Sequence, residues 1–205
     1  MSSSTTDRVT AYAERVLSGE VVAGPHVRNA CRRHMDDLAR GHERGLTFSH
    51  DEANRVFRFF EERLRLSEGQ FEGKPFCLHE SQAFKIGSIF GWLRSDGTRR
   101  FRRAYIEEGK GNGKSPVAGG IGLYGLTADR EAGAEIYAAG ATKEQAQVLF
   151  RDAVKMRRQS PDLARRGRAA EERVGRGEVP PEGGDRRALE RSRQPGRRTG
   201  GAEGS

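Results

Sequence analysis

The stretch Glu108-Gly-Lys-Gly-Asn-Gly-Lys-Ser115 constrains the fold more than any other part of the chain. Gly113, Lys114 and Ser115 satisfy the end of the phosphate-loop pattern G-x-x-x-x-G-K-[ST], while Glu108 holds the position of its first glycine. The chemistry tolerates that exchange. Such a loop works through backbone N–H groups that surround phosphate oxygens and through the positive end of the helix that follows. Lys114 would reach the β- and γ-phosphates, and Ser115 would hold Mg²⁺ through its hydroxyl. A glycine-rich connector with two lysines is the plain alternative, and the flanking periodicities argue against it. Arg100 to Glu107, with Phe101, Ala104, Tyr105 and Ile106, reads as a strand. Pro116 to Leu126 reads as a helix, although Gly119, Gly120 and Gly122 each weaken it by roughly 1 kcal/mol. Those glycines make sense in a helix packed closely on a sheet. Ala134 to Ala139 reads as a second strand, and Thr142 caps a helix running to about Gln159. The order strand, loop, helix, strand, helix predicts an α/β fold with a parallel sheet, pairing Arg102–Glu107 with Glu135–Ala139.

A helical lead-in precedes this unit. Val9, Tyr12, Ala13, Val16 and Leu17 fall at helical spacing between Asp7 and Ser18, with Gly19 as the stop. Pro25 opens a second helix with the stripe Val27, Ala30, Cys31, His34, Met35 and Leu38, ended by Gly41. Ser49 to Glu52 has capping-box spacing and starts a third, with Val56, Phe59, Phe60 and Leu64 on one face. A fourth begins near Ser81 and turns Phe84, Ile86, Ile89, Phe90 and Leu93 inward. Ser95-Asp96-Gly97 is a turn. The division expected is a helical region over 1–75, a partial phosphate-loop domain over 76–163 and a tail over 164–205.

That tail changes character. Residues 164–205 contain no Phe, Tyr, Trp, Ile, Met, Cys or Lys, and hold eleven arginines against seven acids. A segment with so little to bury cannot offset the entropy of ordering its backbone, so it is expected to be disordered. An out-of-frame ending of a GC-rich gene would account for its composition. The net charge of +8 favours polyanionic partners without establishing nucleic-acid binding. No apolar run approaches the roughly 20 residues that span a bilayer, and the polar start lacks a secretory signal. Cys31 and Cys77 are read as reduced thiols of a cytoplasmic protein. Cys31-x-x-His34 lacks the second pair that a zinc site needs, and His26, His42, His50 and His79 have no ligand spacing.

Several segments together resemble the front end of phage terminase large subunits. Arg99-Arg-Phe-Arg-Arg-Ala-Tyr-Ile-Glu-Glu-Gly-Lys-Gly-Asn-Gly-Lys-Ser resembles their Walker A region, in which the first glycine is often missing and a basic residue, here Lys110, lies inside the loop. Phe76-Cys-Leu-His-Glu-Ser-Gln-Ala-Phe-Lys-Ile resembles the family's upstream segment with its Gln. Phe90-Gly-Trp-Leu and Gly97-Thr-Arg-Arg-Phe-Arg follow the same pattern. Ala138-Ala-Gly-Ala-Thr-Lys-Glu-Gln-Ala-Gln-Val-Leu-Phe resembles the strand and helix after the loop, and Ser160-Pro-Asp-Leu the end of that helix.

The resemblance implies ATP and Mg²⁺ as cofactors. The ATP-binding set would be Gln82, Lys110, Gly111, Asn112, Gly113, Lys114, Ser115, Thr142 and Gln145. Gln82 would contact adenine, because a side-chain amide donates and accepts at once. Thr142 and Gln145 would either face the nucleotide or simply start a helix. Arg99, Arg100, Arg102 and Arg103 would either meet phosphate or lie on a solvated face. The implied partners are viral double-stranded DNA, the terminase small subunit and the portal protein, in the host cytoplasm. The family pairs ATP-driven translocation with an endonuclease. No apolar strand ending in paired acids, as a Walker B element would, follows Leu163, so the expectation is an inactive N-terminal portion, truncated before that element and the nuclease domain. Two other readings stay open: a different small phosphate-loop enzyme such as a kinase, and a non-enzymatic basic protein whose tail binds nucleic acid.

Overall fold

A computed structural model describes residues 7–131 and 134–165. The helices are α1 (Arg8–Ser18), α2 (Pro25–Arg40), α3 (His50–Arg58), α4 (Glu80–Gly91), α5 (Lys114–Thr127) and α6 (Lys143–Gln159). Their ends follow local chemistry. Asp7 accepts from the backbone N–H groups of Val9 and Thr10 to cap α1, and Gly19 closes it at φ +87°. Pro25 stands in the first turn of α2, and Ser49 caps α3 by accepting from Glu52. After α3 the chain continues as a π-helical turn over Phe59–Arg63, which turns Phe59 and Phe60 into the core.

The sheet is small. Strands β1 (Leu46–Phe48) and β2 (Trp92–Arg94) pair antiparallel, Phe48 opposite Trp92. The turn at Ser95 to Gly97 brings Arg99 and Arg100 back beside β2, where the Arg100 N–H donates to the Trp92 carbonyl at 2.9 Å.

Beyond Arg100 the structure departs from expectation. Among the described residues, 101–108 and 134–141 have no regular structure, and the parallel pair expected between Arg102–Glu107 and Glu135–Ala139 is absent. A strand is stable only with a partner that satisfies its backbone groups, and these two segments run beside different parts of the molecule. Tyr105 and Ile106 line a groove with Tyr12 and Phe84 of the helical lead-in. Ile136 instead lies over Gly122 and Gly125 of α5. The glycines of α5 therefore serve helix-to-helix and helix-to-ring contacts rather than a sheet. Gly119 abuts Met156 and Ala153 of α6, and Gly120 abuts Phe60 and Leu64.

The buried apolar residues form one cluster from Val9 to Leu163. Tyr124 of α5 is fully buried between Phe59 (ring centroids 5.3 Å apart) and Phe90 (5.0 Å), so the lead-in and the glycine-rich helix share one core. Val27 and Leu38, expected inside, remain 39% and 38% exposed, whereas Asp37 is buried and paired with Arg44 and Arg100. Cys31 and Cys77 are free thiols, and burial pushes the Cys31 thiol up to about 11. Pro161 to Arg165 add a helical turn with Leu163 buried. The expectation of an unstructured tail falls, apart from 164 and 165, outside the described residues.

A polar chain crosses the lead-in. The Trp92 indole N–H donates to His34 Nδ1 at 3.1 Å. Indole nitrogen only donates, so the neutral ring carries its proton on Nε2. That proton points to Thr10 Oγ1 at 3.0 Å, and the Thr10 hydroxyl donates to Asp7, the α1 cap. Burial lowers the His34 pKa from 6.5. The folded state thus refuses a proton that the unfolded chain accepts, and stability, full above 6.5, is lost as pH falls below that value toward the lowered folded pKa. We expect urea midpoints to fall with pH in that window, and His34→Gln to flatten the slope while lowering the neutral-pH midpoint.

Gly120 and Gly122 should respond oppositely to alanine. A Cβ at Gly120 would stand 2.4 Å from Phe60 Cε1, on a fully buried ring that cannot yield. Overpacking of about 1–3 kcal/mol there exceeds the roughly 1 kcal/mol of helix propensity gained. At Gly122 the nearest atom would be 3.5 Å away. Thermal unfolding should therefore show Gly120→Ala destabilised and Gly122→Ala neutral or stabilised.

Candidate functional site

The loop from Glu108 to Gly113 joins the irregular segment to α5. Gly111 and Gly113 sit at φ +89° and +74°, in the left-handed region that side chains avoid. Gly113 has a second reason to lack a side chain, since a Cβ there would meet Gln82 Nε2 at 3.2 Å. It is also the residue before α5, and its carbonyl accepts from Val117 at 3.1 Å.

Helix α5 begins without a side-chain cap and without an acidic residue in its first turn. The backbone donors of Lys114 and Ser115 are consequently left for a ligand, and Pro116 has none to satisfy. The helix dipole adds positive character at the same point. Lys114 folds back over the loop, its ammonium donating to the carbonyls of Glu108 and, at 2.9 Å, Gly109. That geometry holds a cation above the loop amides.

The loop opens on a cleft of about 780 Å³. Lys110, Gly111, Gly113, Lys114 and Ser115 line one side, while Arg151, Asp152 and Lys155 of α6 line the other. Lys155 is paired with Glu68, which holds that carboxyl below its ordinary pKa and the ammonium above its own. Asp152 is 8% exposed, and burial, reinforced by nearby Glu68, raises its carboxyl. The cleft is therefore cationic, with one carboxylate neutralised by Lys155 and another, Asp152, whose pKa burial raises.

Other expected site residues are placed differently. Asn112 is exposed and does not line the cleft. Gln82 stands beside the loop, but its carbonyl oxygen accepts from the His79 N–H at 3.0 Å as part of the capping box of α4, leaving its amide nitrogen facing Gly113. Thr142 caps α6 by accepting from the Gln145 N–H at 3.3 Å, and neither residue lines the cleft. Arg99 pairs with Asp129, and Arg100 with Asp37. The sequence reading missed Arg151, Asp152 and Lys155. Their i, i+1, i+4 spacing places them on one helical face, but nothing local says that this face looks at the loop.

It also missed a second tie. Lys85 of α4 forms an ion pair with the Glu108 carboxylate, with side chains 24% and 20% exposed. Burial pulls the Lys85 ammonium below its ordinary pKa.

Residues 80–174 match the model of the family described as terminase large subunit, ATPase domain. That stretch contains α4, the loop, α5 and α6, and runs past the last described residue. It is similar to the ATPase portion of a terminase large subunit, in line with the sequence resemblance. Neither a curated protein nor a solved structure matches the chain. No helix among the described residues is long and apolar enough to cross a membrane.

The cap assignment of Thr142 is testable. Thr142→Ala should cost about 1 kcal/mol of helix stability, seen as faster amide exchange in the first turn of α6, with ATP affinity unchanged. A matching loss of affinity would instead return Thr142 to the nucleotide site.

Proposed function

We propose that this chain binds ATP through the loop Lys110–Ser115, as the phosphate-holding part of the motor that packages viral DNA into a procapsid. The observation that carries the reading is the uncapped start of α5 beneath the Lys114 ammonium. Backbone N–H groups of the loop and of Lys114 and Ser115 would cradle the phosphates. Lys114 would exchange its bonds to the loop carbonyls for the β- and γ-phosphate oxygens. Lys110, Arg151 and Lys155 would supply further positive field from the cleft walls. Ser115 is the residue that would hold Mg²⁺, which when bound neutralises charge on the β- and γ-oxygens. Gln82, with its amide nitrogen free of the cap, would contact adenine.

Viral double-stranded DNA, the terminase small subunit and the portal protein are the partners that the likeness to terminase large subunits suggests. Hydrolysis needs a carboxylate that orients and activates water, help worth about 10² to 10⁴ in rate. Of the two carboxylates lining the cleft, Glu68 is tied to Lys155, and Asp152 stands on α6, the wall across from the loop. The 205-residue chain should therefore bind ATP weakly and turn it over very slowly.

Titration calorimetry with Mg·ATP on the full chain tests the binding, and a phosphate-release assay tests turnover. Lys114→Ala should weaken binding by about tenfold or more, the order of one lost charge-assisted hydrogen bond. Equal affinity in that variant would refute the site. Robust turnover abolished by Lys114→Ala would uphold it and overturn the expectation of slow hydrolysis.

A further inference from the structure

We infer that Lys85 is a positioning residue for the phosphate loop, anchoring and neutralising the carboxylate that Glu108 places where the loop pattern has glycine. The inference rests on the nucleotide-binding reading above and adds to it a role for Lys85, outside the motif, and for Glu108, at the motif's first position.

Glu108 poses a problem that glycine would not. Its carbonyl is one of the two acceptors of the Lys114 ammonium, so its carboxylate lies within one residue of the cation that must face the phosphates. An unpaired carboxylate there would compete for Lys114 and repel a polyphosphate. With its side chain only 20% exposed, it would be poorly screened by water. Lys85 answers both effects by direct pairing.

Lys85 is delivered by rigid structure. It lies on α4 between Phe84 and Ile86, both in the core. One turn earlier on that helix, Gln82 stands against Gly113. Helix α4 thus touches the loop at both ends, through an ion pair at Glu108 and a close approach at Gly113. No backbone hydrogen bond holds residues 101–109 to a neighbouring strand among the described residues, so side chains hold the loop's start: the ion pair from α4 and the Lys114 bonds to the Glu108 and Gly109 carbonyls. A pair this buried is costly to break on one side only, because the remaining charge loses its partner without regaining full hydration.

This asymmetry sets the test. Mg·ATP titration and amide exchange of residues 109–115 would be measured on the full chain and on Lys85→Met, Glu108→Gln, the double variant and the exchange Lys85→Glu with Glu108→Lys. Lys85→Met should weaken ATP binding about tenfold and speed exchange of the loop amides, because it leaves the carboxylate unopposed. Glu108→Gln should loosen the loop with a smaller loss of affinity, since the repelling charge is gone. The double variant should bind ATP better than Lys85→Met, and the charge exchange should restore slow loop exchange. The inference is overturned if Lys85→Met matches the wild type in both measurements, or if the double variant binds as weakly as Lys85→Met. Should the wild-type chain bind no ATP, the nucleotide reading fails, and the exchange measurement alone decides the anchor: unchanged loop protection in Lys85→Met would sink it.

Discussion

The seat of Tyr124 between Phe59 and Phe90 is the contact on which the site depends. Helix α5 carries four glycines and no amphipathic stripe, so it cannot orient itself by a broad apolar face. It is oriented by fit instead. The Tyr124 ring sits between Phe59 of the π-helical turn after α3 and Phe90 of α4, and the bare backbone at Gly120 lets Phe60 and Leu64 approach. Arg55 stacks over the same tyrosine at 5.8 Å and donates to the Ala128 carbonyl at the far end of α5. The N-terminus of α5, where phosphate would bind, is therefore aimed by contacts made along its middle and its far end.

Those contacts come from the lead-in. Val9, Phe57 and Gly87 pack so closely that a Cβ at Gly87 would stand 2.4 Å from Val9, which locks α1 and α3 on α4. The Trp92 to His34 to Thr10 to Asp7 chain then joins β2, α2 and α1 by satisfied polar groups. A buried network of this kind specifies one arrangement, because any slip leaves a donor or acceptor unpaired. The lead-in thereby fixes α4, and α4 presents Gln82 and Lys85 to the loop.

Much of this was legible in the sequence. Asp7, Gly19, Pro25, Ser49 and Thr142 mark helix ends because capping is local chemistry, and all five stand at the ends they signalled. The loop motif located the start of α5 within two residues. The strands were not legible in the same way. Alternation at Phe101 to Ile106 suits a strand, but pairing is a property of two segments, and here Ile106 and Ile136 were claimed by different surfaces. The short β1–β2 pair escaped notice because three residues carry no period. The α6 wall of the cleft was hidden because helical spacing gives a face and not a neighbour. Lys85 and Glu108, 23 residues apart, could be matched only once α4 had a place in the fold.

The consequence for function lies in how the loop is held. A phosphate loop that leaves a paired strand inherits the rigidity of a backbone ladder, whose bonds act together. Here the described residues before the loop lack that ladder, and side chains replace it: Lys85 at Glu108, Gln82 against Gly113, and the Lys114 ammonium across two carbonyls. Of these, the Lys114 bonds would be given up if phosphate bound as proposed, so part of the order present in the free loop would be lost at the moment of binding. The ligand must supply the remainder, and ordering even a few residues costs about 1–2 kcal/mol each. On the proposed reading, affinity for nucleotide would be limited less by missing contacts to phosphate than by the cost of holding the loop in shape. Any partner or added segment that paired with residues 101–108 would tighten ATP binding without touching the nucleotide, because it would order the loop in advance.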